Sequence, residues 1–108
     1  MIKIRGNAIY LTRGDSADIT IAITNSKGNA YDMQDGDTIA FTVKRTTTDK
    51  DALISKTADD GVIHLVPGDT ESLGYGDYVY DCQLTTADGR VCTFIVPTLF
   101  RVLEEVTY

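Results

Sequence analysis

Hydrophobic and polar residues alternate along much of this chain. In Ala17–Thr24, three isoleucines stand at every second position, and Thr38–Arg45 repeats this period with isoleucine, phenylalanine and valine. Because successive side chains of a β-strand point to opposite faces, each segment can bury one face and expose the other. The pattern therefore predicts β-strands rather than amphipathic helices.

Further short segments have the β-branched and aromatic composition of strands. They are Ile2–Arg5, Ile9–Thr12, Ala52–Thr57, Val62–Val66, Tyr78–Thr86, Val91–Val96 and Thr98–Glu105. Six of the nine glycines adjoin an aspartate, a pairing that favours tight turns between strands. One helical turn is expected at Asp69–Leu73, with Asp69 as its cap. The sequence predicts an all-β protein.

The hairpin between the last long strands has two possible registers. A two-residue turn at Asp88-Gly89 would leave Phe94 on the polar face with Gln83. A three-residue turn, with Gly89 in the left-handed conformation, places the apolar side chains on one face instead. Its pairs are Leu84 with Cys92, Cys82 with Phe94 and Tyr80 with Val96. We therefore predict the three-residue turn, with Leu84, Cys82, Phe94 and Val96 inside.

Composition limits the class of protein. The 108 residues fit one domain, residues 1–108, with 43% hydrophobic and 24% charged residues. The net charge of −6 would repel nucleic acid phosphates. No apolar run approaches the ~20 residues that cross a bilayer, and the N-terminal residues do not form a signal peptide. We expect synthesis in the cytoplasm and neither a nucleic acid nor a membrane partner.

The two cysteines, Cys82 and Cys92, are too few for a disulfide scaffold or for a zinc site of their own. In the predicted hairpin they are diagonal neighbours, near or beyond the ~7 Å limit for a bridge. We expect two free thiols that face the interior.

Three polar features could carry chemistry, and each also has a simpler explanation. Arg13-Gly14-Asp15-Ser16 spells an integrin-recognition tetrapeptide, but Gly14-Asp15 can simply turn the chain into the next strand. Asp32, Asp35 and Asp37 could offer oxygen ligands to calcium, although they fit a solvated turn better than a helix-flanked calcium loop. His64 is the only histidine, and no nucleophile signature accompanies it. We predict no catalytic, cofactor-binding or metal-binding residues.

Tyrosines are the remaining candidates. Alternation places Tyr78 and Tyr80 on the inner face, whereas Tyr75 is expected to be exposed. The C-terminal segment Thr98–Tyr108 carries apolar residues on both faces of the predicted strand. One face can complete the core, so Leu99 and Leu103 remain available to another chain. We predict an interface that includes Leu99, Leu103 and Tyr75.

Four turn-and-strand motifs resemble small immunoglobulin-like proteins of tailed phages and prophages of Gram-positive bacteria. They are Ile9–Ser16, Asp35–Val43, Pro67–Thr70 and Gly76–Asp81. In the last of these, a glycine before alternating aromatics resembles the start of the sixth strand of such sandwiches, where a tyrosine bonds upstream backbone. The chain looks most like the N-terminal domain of baseplate upper proteins, from about Ile9 to Phe100.

The resemblance implies an immunoglobulin-like antiparallel β-sandwich with a structural role in a virion. No catalytic residue or cofactor comes with it. We predict a non-enzymatic assembly module of a phage tail or baseplate that contacts other tail proteins or copies of itself. Baseplate upper proteins continue into a helical linker and a further domain, so a stand-alone adaptor and an excised domain both stay open. The alternative function is a carbohydrate- or calcium-dependent binding module of a bacterial surface protein.

Overall fold

The structure, a computed structural model, describes residues 2–5, 7–23, 31 and 34–104. These residues form eight strands and one short helix. The elements are β1 (Ile2–Arg5), β2 (Ala8–Thr12), β3 (Ala17–Thr20), β4 (Thr38–Lys44), β5 (Ile54–Thr57), β6 (Val62–Leu65), α1 (Pro67–Thr70), β7 (Gly76–Thr85) and β8 (Val91–Leu103). The all-β prediction is confirmed. Within the described ranges, no helix has the length and apolar character needed to cross a membrane.

The strands form two sheets. A six-stranded sheet has the order β1-β2-β8-β7-β4-β5, and β3 pairs with β6 in a second sheet. Every pair is antiparallel except β2 with β8, which run parallel from Ile9 beside Phe100 to Thr12 beside Leu103. The expectation of a purely antiparallel arrangement is therefore wrong at this junction. Most of the chain separates β2 from β8, which leaves ample length for the crossover that parallel strands require.

The hydrophobic core draws its side chains from both sheets. Phe41 lies near its centre, fully buried, with its ring centroid 5.2 Å from that of Tyr80 and 6.3 Å from that of Phe100. The other buried apolar residues alternate along their strands. They are Ile9, Leu11, Ala17, Ile19, Ile39, Val43, Ile54, Ile63, Leu65, Tyr78, Cys82, Leu84 and Val102. The period-two pattern thus identified the buried faces correctly, including those of Tyr78 and Tyr80.

The single helical turn lies two residues before its predicted position. It begins at Pro67, whose fixed φ and missing N–H suit the first helical position. Asp69 is not the cap residue. Its carboxylate accepts a hydrogen bond from the backbone N–H of Val66 at 2.8 Å and lies 3.0 Å from the Lys56 ammonium. Asp69 therefore stabilises the first turn from inside the helix.

The long hairpin follows the predicted register only near its turn. Leu84 lies opposite Cys92 as expected, but Cys82 pairs with Ile95 and Tyr80 with Thr98. The inward placement of Val96 is therefore wrong, since this side chain is 66% exposed, and Phe94 is only half-buried. Two β-bulges cause the shift.

These bulges add residues to β8 that β7 does not match. Between the pairs Tyr80–Thr98 and Gln83–Thr93, β7 advances by three residues whereas β8 advances by five. Pro97 lies in this stretch and has no N–H for the ladder, and a bulge accommodates such a residue without ending the strand. The predicted strands Val91–Val96 and Thr98–Glu105 consequently join into the single strand β8.

The two thiols lie in different environments, contrary to the expectation that both face inward. Cys82 is fully buried, and burial raises its pKa to about 12, whereas Cys92 is exposed. Because the thiolate is the reactive form, we expect native alkylation to label Cys92 rapidly and Cys82 only after unfolding. Mass spectrometry of the alkylated chain measures this difference. Equal native labelling rates at the two positions would contradict the buried location of Cys82.

Candidate functional site

The turn that precedes β3 contacts the loop that precedes β7. The Arg13 guanidinium lies 4.4 Å from the centroid of the Tyr75 ring and also 3.5 Å from the Leu73 carbonyl oxygen. The Gly14 N–H donates to the hydroxyl of buried Thr70 at 2.8 Å. Tyr75 itself is 41% exposed, as the sequence predicted. The arginine covers one side of the tyrosine ring and fixes its position.

Arg13 and Gly14 are the central residues of a turn from Thr12 to Asp15. The N–H of Asp15 donates to the carbonyl of Thr12 at 3.1 Å, and Gly14 has a φ of 82°, which suits glycine. Because the arginine is held against Tyr75 and Leu73, the geometry favours the turn interpretation over an adhesion loop.

The C-terminal half of β8 divides its side chains between two faces. Phe100 and Val102 are buried in the core, so Leu99, Arg101 and Leu103 lie on the outer face of the six-stranded sheet. Leu99 is half-buried among its neighbours, and Leu103 is 36% exposed. Both predicted interface leucines therefore lie on the face that the core does not use.

An ion pair occupies the middle of this outer face. The Nε of Arg101 lies 2.6 Å from Oδ1 of Asp77, and its Nη2 lies 3.2 Å from Oδ2, a two-point contact between β8 and β7. These hydrogen bonds hold the pKa of Asp77 below its usual value. The guanidinium also lies 5.6 Å from the centroid of the Tyr10 ring on β2. Arg101 thus connects three adjacent strands.

Apolar side chains surround this ion pair and form what we call the outer-face patch, which consists of Tyr10, Tyr75, Val79, Leu99 and Leu103. Val79 lies opposite Leu99, and Tyr10 lies opposite Arg101. Arg13 links Tyr75 to the end of β8, because its N–H donates to the Leu103 carbonyl oxygen at 3.0 Å while its guanidinium lies over the Tyr75 ring.

Leu99 and Leu103 thus share the outer face, and Tyr75 lies next to it through Arg13. Their role as an interface stays a prediction. Sequence reasoning missed Tyr10 and Val79, along with the ion pair. Strand alternation in the sequence already placed Tyr10 and Val79 on the outer face. That Tyr10 lies near the ion pair, however, depends on the pairing of β2 with β8.

A polar groove of about 240 Å³ adjoins the outer-face patch. Its lining includes Lys44, Asp81 and Gln83, together with Val79 and Pro97. The bulged part of β8 forms one side of this groove. The ammonium, carboxylate and amide groups can bind a polar ligand or the polar margin of a protein partner.

The predicted hydrogen bond from a tyrosine to the backbone upstream of the long strand is confirmed at Tyr78. Its hydroxyl donates to the carbonyl oxygen of Gly74 at 2.8 Å, four residues upstream, while its ring is buried. Arg45 lies over this ring at 5.4 Å. The contacts hold the loop that presents Tyr75 against the start of β7.

Among the three aspartates considered as calcium ligands, Asp32, Asp35 and Asp37, the last has a structural role. Its Oδ2 accepts hydrogen bonds from the Tyr31 hydroxyl at 2.6 Å and the Gln34 N–H at 2.9 Å, which keep the pKa of Asp37 below its usual value. Asp35 is exposed, and Asp32 lies outside the described residues. Among the residues described, no group of three or more His, Cys, Asp or Glu is arranged to hold a metal ion.

His64 faces away from Ile63 and Leu65, as alternation predicted, and is exposed on the two-stranded sheet. Its Nδ1 lies 2.7 Å from Oδ1 of Asp18, and its Nε2 lies 4.0 Å from Oδ2 of Asp59. Carboxylates can orient an imidazole, but neither can serve here as the hydroxyl or thiol nucleophile of a hydrolase.

Comparison with known proteins gives no relative. No protein-family model, no curated protein and no solved structure matches this chain.

Proposed function

We propose that this chain is a non-enzymatic assembly module of a phage or prophage tail or baseplate, and that it acts through protein–protein contacts. In this proposal it is made in the host cytoplasm and incorporated into the virion. The observation that carries the proposal is the outer-face patch, an apolar surface with an oriented ion pair at its centre. Exposed apolar surface of this kind marks interfaces.

The chemistry of the patch suits a protein partner. Tyrosine and arginine are enriched at interfaces because each combines a large contact area with hydrogen-bonding groups. Here Tyr10 and Tyr75 both contact arginine side chains, so their rings are already oriented before a partner arrives. Less side-chain freedom is then lost on binding. The Arg101–Asp77 pair offers charges of both signs, which favour one orientation of the partner.

We further propose that the fold is an immunoglobulin-like sandwich, and strand order supports this assignment. Such domains place strands C, F and G in one sheet, with C′ added in variable-type domains, and strands B and E in the other. If β4, β7 and β8 are C, F and G, then β5 is C′ and β3 with β6 is the B–E pair. The Tyr78 bond then lies at the corner between E and F. Cys82 is a free thiol, unlike the bridged cysteine of antibody domains.

The phage assignment rests on the motif resemblance, and the structure is compatible with it. Ile9–Ser16 supplies β2 and the turn against Tyr75, while Gly76–Asp81 supplies the part of β7 that carries Asp77. Two of the resembling motifs therefore supply Tyr10 and Val79 of the outer-face patch and Asp77 of its ion pair. Attachment of the chain to a neighbouring tail protein through this patch is the corresponding biological role.

The double substitution Leu99→Glu with Leu103→Glu tests the patch. Two carboxylates beside Asp77 should repel a partner that covers an apolar surface, and we expect at least about a tenfold loss of affinity, equal to ~1.4 kcal/mol. The measurement is calorimetric titration against the purified tail proteins encoded beside this chain. Leu53→Glu with Val66→Glu is the matched control, since both residues are exposed leucine or valine outside the patch.

Two results would reject the proposal. One is equal binding by the patch variant and the control. The other is absence of the chain from purified virions of the encoding phage, measured by mass spectrometry with a known tail protein as the reference.

A second candidate function, carbohydrate binding, is favoured by the polar groove beside the patch. Lys44, Asp81 and Gln83 supply donors and acceptors that match sugar hydroxyls. Lys44→Ala with Gln83→Ala would then abolish binding to a glycan array while leaving binding to tail proteins unchanged. Binding of the parent chain to no glycan on the array would exclude this candidate.

A further inference from the structure

Part of β8, although this strand lies inside the six-stranded sheet, has no neighbouring strand on one side. β8 contains 13 residues, but β2 pairs only with the four from Phe100 to Leu103. On that same side, the stretch Val91–Leu99 has no strand partner among the described residues. The backbone groups of this stretch that do not bond β7 face an open edge, except the Val96 carbonyl, which accepts a hydrogen bond from the Thr98 hydroxyl at 2.6 Å. Such an edge invites strand addition.

The side chains along this edge are apolar and accessible. Val91 is 62% exposed and Val96 is 66% exposed, while Phe94 and Ile95 are half-buried against the core. Asp, Glu, Lys and Arg are absent from Val91–Phe100, the longest stretch of the chain without these residues. Natural edge strands are commonly protected by charged residues, and this stretch has none.

A groove of about 220 Å³ without charged residues lies beside the same edge. Ile9, Ile19, Ile21 and Ile95 line it, with Tyr80, and all of its lining residues are uncharged. A strand added along β8 would direct every second side chain toward this groove. The open edge and the groove are separate observations, and both indicate an extended, uncharged segment as the ligand.

We propose that the Val91–Val96 edge of β8 pairs antiparallel with the same edge of a second copy of this chain. The inference rests on the proposed function, because it names one partner of the assembly module. A second copy supplies the extended, uncharged segment that this edge and groove require, because its own Val91–Val96 stretch is such a segment. Each chain carries −6, so two copies repel each other least where their surfaces are uncharged.

A two-fold axis makes such a contact self-complementary. The strand that offers an uncharged, β-branched edge also supplies one to its partner, and both sets of backbone groups are satisfied together. Pro97, which has no N–H, marks one end of the available ladder, and the bulges limit its regular length. The contact is therefore short, and we expect dimerisation that depends on protein concentration.

The test substitutes the two exposed valines by lysine, Val91→Lys with Val96→Lys. The matched control is Leu53→Lys with Val66→Lys, which has the same net charge and also replaces two exposed apolar residues. We expect sedimentation equilibrium to show a monomer–dimer equilibrium for the parent and the control, and at least a tenfold weaker dimer for the edge variant. Hydrogen exchange of those Val91–Val96 amides that do not bond β7 should slow with rising concentration in the parent and the control, and not in the edge variant.

A thiol cross-link provides an independent measurement. Cys92 lies on this edge and is exposed, while Cys82 is buried, so a bis-maleimide reagent reports on Cys92 alone. Cross-linked dimers are expected for the parent and the control, and not for the edge variant.

Several outcomes would overturn the inference. The first is a parent chain that is monomeric at every concentration. The second is slow exchange, in the monomer, of Val91–Val96 amides that do not bond β7. The third is a dimer that the Leu99→Glu/Leu103→Glu variant disrupts but the edge variant does not. A purified tail protein that occupies the edge in place of a second copy would also overturn it. None of these affects the proposed function, which is decided by tail-protein binding at the outer-face patch.

Discussion

Phe41→Ala is expected to destabilise the protein by about 3–5 kcal/mol, the range for removing a fully buried aromatic ring. Phe41 has no exposed surface and contacts the rings of Tyr80 and Phe100 from the adjacent and next-adjacent strands. Removal of the ring loses its burial and leaves a cavity that strands held by backbone pairing cannot close. Urea unfolding, followed by circular dichroism, gives the free energy of unfolding.

Phe94→Ala is the matched control. It removes the same ring from a half-buried position on the bulged part of β8, so its cost should be under half that of Phe41→Ala. Equal losses for the two variants would show that the core is not centred on Phe41. A loss under about 1 kcal/mol for Phe41→Ala would show that its ring is not buried.

Local patterns predicted much of this fold, because strand formation and facing depend on neighbouring residues. The alternation in Thr38–Arg45 correctly placed β4 and its buried side chains. Tyr78 makes the corner bond that its position near the start of the long strand, after Gly76, indicated. The three-residue turn at Gly89 was also sufficient to pair Leu84 with Cys92. These features are determined within a few residues of the turn or strand concerned.

Non-local features could not be predicted in the same way. The bulges near Pro97 depend on how β8 fits β7, and they reversed the expected facing of Val96. Cys92 keeps its predicted partner Leu84 but is exposed. The parallel pairing of β2 with β8 joins segments from opposite ends of the chain. That pairing places Tyr10 beside Arg101 and so completes the outer-face patch. Alternation along the strand indicated that Leu99 and Leu103 face outward. Only the pairing of β8 with β2 and β7 shows which residues lie beside them.

Alkaline pH should unfold the protein through two buried acids on β7. Burial raises the pKa of Tyr80 to about 12 and, chiefly by the same cause, that of Cys82 to about 12. The Tyr80 hydroxyl also donates a hydrogen bond to the Asn7 carbonyl oxygen, which a phenolate cannot do. Both groups are therefore neutral in the folded state well above their ordinary values of 10.0 and 9.0.

The sign follows from proton linkage. Below pH 9 both groups are protonated in the folded and unfolded chains, and their contribution to stability is constant. Above that value the unfolded chain releases protons first, so stability falls until the folded-state pKa values near pH 12 are reached. Each group contributes a slope of at most ~1.4 kcal/mol per pH unit in this window. Tyr31, whose pKa is raised by its hydrogen bond to Asp37, contributes with the same sign.

Urea unfolding of the parent and of Tyr80→Phe, from about pH 8 to about pH 12, measures the contribution of Tyr80. At neutral pH the variant should be the less stable chain, because the Asn7 carbonyl loses its donor. Above pH 10 the parent should lose stability more steeply, since only its unfolded state gains the phenolate of residue 80. Cys82→Ala should reduce the slope from about pH 9 upward, while the exposed Cys92→Ala serves as its control. Parallel pH profiles for the parent and Tyr80→Phe would refute the raised pKa, because a phenol that titrates equally in both states cannot couple its proton to unfolding.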